Sequence, residues 1–296
     1  MPGSLLTLDE LMESHHEDRD QSRQSLEILL TQPIRIEDEW KLARLVNHIV
    51  GEESGDWQAA YRMIRTAVPE PTQTPVIRQA AIAATMAGDV VRAWQLEAKL
   101  AEAYSVPIEQ AAVTTRLGVL QFLMSHVEQG PVCEVFIQTL GRIESWPVSG
   151  PLTETLAATC NNATSALLDR EDLETSNPMV VEALTRGAEL ARSLWRKAGT
   201  WMQSARADYL VALVRNRVGD WAAARAAAQA GLDTITANGP EDVDRAFLFL
   251  EIARASAGAG DLLGRDAALI DANALAAEFK EDGLKKWFAS RAKGLG

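Results

Sequence analysis

Apolar residues along this chain recur at steps of three and four. Leu42, Leu45, Val46 and Ile49 form one such stripe, and Leu210, Leu213, Val214 and Val218 form another. That period places each set on one face of an α-helix. No convincing stretch alternates apolar and polar residues as a half-buried strand would. The pattern therefore predicts an all-α protein. Prolines such as Pro33, Pro69, Pro107, Pro147 and Pro178 mark helix edges, because proline in a helix interior costs roughly 3 kcal/mol. Between them lie segments rich in Ala, Leu, Arg and Glu. Alanine alone occurs 47 times, and it loses no side-chain entropy in a helix.

A second signal is the pair Gly-Asp. It occurs as Gly55-Asp56-Trp57, Gly88-Asp89-Val90, Gly219-Asp220-Trp221 and Gly260-Asp261-Leu262. Glycine adopts the left-handed conformation that ends one helix. Aspartate then caps the next by accepting from its orphan backbone N–H groups. Each pair predicts a tight turn between two antiparallel helices. The expected hairpins are 36–50 with 56–68, 75–87 with 89–104, 108–128 with 132–144, 152–168 with 178–198, 201–218 with 220–237, and 241–258 with 261–279. Residues 282–293 predict a closing helix. Residues 9–31 predict helix within an N-terminal cap segment, 1–35, that precedes one repeat domain over 36–296. The glycine markers stand 33 residues apart (Gly55 to Gly88) and 41 apart (Gly219 to Gly260), so the stretch between Gly88 and Gly219 is the irregular part of the array.

Small residues accompany the turns. Seven positions before each glycine stand His48, Ala81, Ala212 and Ala253; five after stand Ala60, Ala93, Ala224 and Arg265; twelve after stand Ala67, Leu100, Gly231 and Ala272. His48, Leu100 and Arg265 are the larger exceptions. Short side chains let helices approach closely. This spacing around a Gly-Asp turn resembles the tetratricopeptide repeat family, with the good matches over 40–105 and 200–280. The resemblance implies a right-handed superhelical array of antiparallel hairpins, a tetratricopeptide-like α-solenoid. It also implies a concave groove, lined by the first helices of the hairpins, that binds a protein or peptide segment.

Charge narrows the partners. Lys and Arg number 29 and Asp and Glu 41, for a net charge of −12. Such a chain repels phosphate backbones, which argues against nucleic acid. No apolar run reaches the roughly 18 residues of a membrane helix, and the first residues carry no secretion signal, so the expected setting is the cytoplasm. Cys133 and Cys160 are too few for a disulfide framework or metal cluster. The most metal-like run, His15-His16-Glu17-Asp18, reads as a solvated charged face. There is no nucleophile elbow or phosphate-cradling glycine loop, and Cys133 and His126 flank a Gly130-Pro131 turn without an orienting acid. No catalytic residue, cofactor or metal is expected.

The candidate partner-binding residues are polar groups inside predicted helices. Asn161 and Asn162 interrupt an apolar helix, and a groove-facing amide could pair with a peptide backbone. Arg206, Tyr209, Leu213 and Asn216 share one helix face, and Arg254 takes a comparable place one hairpin later. Arg and Tyr anchor interfaces, and cationic groove residues favour an acidic or C-terminal carboxylate ligand. Two other readings stay open. One is an all-α enzyme or small-ligand sensor with a pocket in the middle stretch, 105–200. The other is a homodimer through exposed apolar surface, with Phe122, Met124 and Val127 as its candidates. Trp57 and Trp221 are expected to pack at the hairpin turns.

Overall fold

All four Gly-Asp pairs reverse the chain between two helices in the computed structural model, which describes residues 7–14, 19–147 and 150–295. Gly55, Gly88, Gly219 and Gly260 have φ between +70° and +82°, a region that only glycine enters without strain. The aspartate that follows each glycine accepts from a backbone N–H three residues on, at Ala59, Arg92, Ala223 and Gly264. Helix termination and helix initiation thus occupy two adjacent residues.

Helix makes up 79% of the structure, with no strand among the described residues. The short helices α1 (Leu8–Ser14) and α2 (Arg19–Leu29) lead into α3 (Glu39–Leu45), which widens into a π-helical stretch, Val46–Glu53. Then follow α4 (Trp57–Ala67), α5 (Thr74–Met86), α6 (Val90–Tyr104), α7 (Ile108–Leu123), α8 (Gln129–Glu144), α9 (Pro151–Leu168), α10 (Pro178–Ala198), α11 (Trp201–Arg217), α12 (Trp221–Asn238), α13 (Asp242–Gly258), α14 (Leu262–Ala276) and α15 (Asp282–Ala292). Sequence neighbours pack in pairs: α5 with α6, α9 with α10, α11 with α12, α13 with α14. The residues 15–18, which hold the His-His-Glu-Asp run, lie outside the described residues.

The chain divides into two compact units, residues 1–122 and 123–296. In the first, the core is Leu11, Leu26, Leu42, Ile49, Ile64, Ile77 and Leu100 with the small residues Ala60, Ala81 and Ala93 between them. The π-helix departs from the regular helix expected over 36–50. It aligns Gly51 beneath Trp57, so closely that a Cβ on Gly51 would lie 2.6 Å from the indole. Trp57 also meets Phe122 edge to face at 5.1 Å. His48, one of the larger exceptions in the small-residue pattern, sits in this π-helix and bonds Glu52 at 2.6 Å.

In the second unit Trp221 packs on the next hairpin instead, where a Cβ on Gly258 at the end of α13 would lie 2.5 Å from its ring. Gly231 is equally constrained, since Leu248 would stand 2.9 Å from an added Cβ. Ala212, Ala224, Ala253 and Ala272 are all buried. The α9–α10 connection is not a Gly-Asp turn. It is held by Arg170, which chelates Asp172 and donates to the carbonyls of Met124 and Val127, each at 2.7 Å. Gln129 ties down the same segment through the Asp172 carbonyl and the Glu174 N–H.

Two side-chain joints recur between successive hairpins. The residue six after a turn glycine reaches the next capping aspartate: Tyr61 donates to Asp89 at 2.6 Å, and Arg225 donates to Asp261 at 2.8 Å. A buried asparagine reaches from one first helix to the next. Asn47 donates to the carbonyl and side-chain oxygen of Gln79, and Asn216 does the same to Glu251.

Candidate functional site

The second asparagine joint lies beside a polar cavity of the second unit. Asn216 is buried near the end of α11 and donates to the Glu251 carbonyl at 3.0 Å and to Oε2 at 2.8 Å. Glu251, mid-α13, is only 1% exposed. A buried carboxylate needs positive partners and hydrogen bonds. It has them in Arg254, one helical turn on at 3.5 Å, and in Arg291 of α15 at 3.4 Å. Arg254 also donates to the Arg291 carbonyl at 2.7 Å, which fastens the end of α15 to α13. Aromatic packing sets the same helix down from the other side, with Phe247 of α13 against Trp287 at 4.2 Å and Phe288 at 5.6 Å.

Beside this cluster opens a cavity of about 360 Å³. Four cations line it (Arg217, Arg254, Arg291 and Lys293), with two carboxylates, Asp169 and Glu251. Asp169 follows the last residue of α9, so the walls come from the first helices of three successive hairpins and from α15. Burial pushes the Asp169 carboxyl above its ordinary range, against the pull of Arg291. Burial also raises the Tyr209 hydroxyl, and the nearby Glu251 charge adds to the effect.

The stripe expected on α11 and α13 is brought together in part. Asn216 and Arg254 converge on Glu251, and Tyr209 packs edge to face on Phe247 at 6.3 Å. Arg206 turns elsewhere: it is exposed and bound to Asp244 at 2.7 Å, with Glu241 at 3.8 Å. Asn161 is half-buried and Asn162 exposed on α9, and neither is among the cavity's lining residues. Of the middle stretch 105–200, only Leu168 and Asp169 reach this cavity. The apolar trio considered for dimerisation is mostly internal, since Phe122 and Met124 are buried; a buried side chain offers no docking surface.

Arg217, Arg291, Lys293 and Asp169 were not singled out from the sequence. One signal was present: Lys285, Lys286 and Arg291 in the last helix and Lys293 just after it, in a chain of net charge −12. Cys133 and Cys160 are both free and buried. Burial pushes the Cys133 thiol up to about 11 and raises Cys160 as well, so neither is poised as a nucleophile. Among the described residues no group of three or more His, Cys, Asp or Glu is placed to hold a metal, and no helix is long and apolar enough to cross a membrane. Compared with known proteins, the chain matches no family model and no curated protein.

Proposed function

We propose that this chain is a non-catalytic binding module whose hairpins stack, within each unit, as a tetratricopeptide-like right-handed array. The recurring joints support the stacking, because the same side-chain contacts repeat from hairpin to hairpin: Tyr61 to Asp89 and Arg225 to Asp261, Asn47 to Gln79 and Asn216 to Glu251. The face formed by α9, α11 and α13 takes an anionic segment of another protein, acidic or ending in a free carboxylate.

The observation that carries this reading is the gathering of Arg217, Arg254, Arg291 and Lys293 around one cavity of a strongly acidic chain. Like charges are concentrated against mutual repulsion only where something offsets the cost. Guanidinium groups suit carboxylate oxygens in particular. A second reading, an all-α sensor of a small anion, is favoured by the volume of the cavity, which lies at the small end of ligand pockets.

Fluorescence anisotropy with two labelled dodecapeptides, one glutamate-rich and one lysine-rich, tests the protein-partner reading. Binding of the acidic peptide alone, weakened by salt and by Arg254→Ala, is the expected result. Equal binding of both peptides, or of neither, would overturn it.

A further inference from the structure

We propose that the cavity of the second unit is a site for a single dianionic phosphate group, gripped by Arg217 and Lys293. This deepens the reading above and rests on its claim that this face binds an anion. The four cations of the cavity do not have equal work. Arg254 and Arg291 are committed to Glu251, at 3.5 and 3.4 Å. Arg217 and Lys293 have no carboxylate partner among the described residues, yet both line the cavity. Arg217 is the last residue of α11 and Lys293 follows the last residue of α15, so the two come to the cavity from different helices.

The charge of the walls fits the same occupant. The lining holds four positive and two negative side chains, an excess of two. A monocarboxylate would leave at least one positive charge uncompensated. A phosphate monoester carries a charge close to −2 and three strong acceptor oxygens. The cavity volume of about 360 Å³ accommodates a phosphate with part of the group it esterifies.

The same chemistry arises from a phosphorylated side chain of a partner segment or from a free phosphate ester. Isothermal titration of the full chain separates them, using inorganic phosphate, glycerol phosphate, a phosphoserine decapeptide, the unphosphorylated decapeptide and glutarate. The expected result is saturable one-to-one binding of the phosphate compounds, weaker by about tenfold or more in Arg217→Ala/Lys293→Ala, with an unchanged melting temperature. Tightest binding by the phosphopeptide identifies a partner segment, and equal binding by glycerol phosphate identifies a small ester. Absence of phosphate binding at millimolar concentration, or binding unaffected by the double substitution, would overturn the proposal. Binding of an unphosphorylated acidic peptide without any phosphate binding would sink this inference and leave the acidic-segment reading standing. Failure of every anion would remove both.

Discussion

Asn47 in the first unit and Asn216 in the second make the same pair of hydrogen bonds to the next first helix, but to different residues. Asn47 meets Gln79; Asn216 meets Glu251. A glutamine asks nothing more of its surroundings. A buried glutamate must be neutralised, and Arg254 and Arg291 are drawn in to do so. The exchange of one amide for one carboxylate therefore separates a joint that only locks two helices from a joint that also recruits cations. The comparison shows how a repeated side-chain contact becomes the seed of a site, although Asn47 reaches out from a π-helix and Asn216 from a regular α-helix.

The sharpest way to break the comparison is to remove the carboxylate. Glu251→Ala strands two arginines and the Asn216 amide, and should cost about 3 kcal/mol, against about 1 kcal/mol for Gln79→Ala. Urea unfolding of both variants measures the gap, and equal losses would mean that the charge in the second joint is incidental.

Next come the two glycines under tryptophan. An exposed helical glycine normally gains stability on conversion to alanine. At Gly51 and Gly258 the new Cβ would lie 2.6 and 2.5 Å from an indole carbon. Both variants should instead lose about 2 kcal/mol through overpacking. A thermal melt that shows stabilisation at either site would mean that the indole there yields to the added methyl group.

A smaller effect concerns the caps. Asp56→Ala and Asp220→Ala each remove one bond to an N-terminal N–H and should cost about 1 kcal/mol. Similar losses in chemical denaturation support equivalent turns, whereas a negligible loss at one would set it apart.

The smallest effect is on acid sensitivity. Tyr61 and Arg225 hold Asp89 and Asp261 below their ordinary range through hydrogen bonds. The folded form binds the proton less readily than the unfolded one. The contribution is therefore present above the unfolded pKa of 3.8 and fades as pH falls below it through the depressed folded values. Melting curves between pH 5 and 2.5 should fall less steeply for Asp89→Asn and Asp261→Asn than for the parent chain (roughly the window in which aspartate titrates). Identical slopes would refute the linkage.

The hairpin edges were legible in the sequence because glycine and aspartate act locally. A left-handed turn and a side-chain cap need only their own neighbours, and all four occurrences fold as their residues require. The small residues were legible for a similar reason, since close helix approach leaves no space at Ala81, Ala212 or Gly231. The π-helix at Val46–Glu53 was not, because an extra residue in a helix leaves the three-and-four rhythm of Leu42, Leu45, Val46 and Ile49 intact. The cavity was half legible. Asn216 and Arg254 announced themselves as polar residues on apolar helices. Asn216 meets Glu251 across 35 residues of chain, and Arg206, on the same α11 stripe, found Asp244 instead. Arg217, Arg291 and Lys293 look like ordinary helix-end cations until the packing of α15 on α13 places them together.

The capping aspartates have a further consequence for how the chain opens. Asp89 and Asp261 each start a helix and also receive a side chain from the hairpin before it. One carboxylate oxygen caps the helix and the other takes the side chain from the hairpin before, so a hairpin that unzips frees one side of its successor's cap. Amide hydrogens of α4 and α6, and likewise of α12 and α14, should exchange with solvent as coupled groups rather than helix by helix. The turn is then the element that sets how far a local opening spreads.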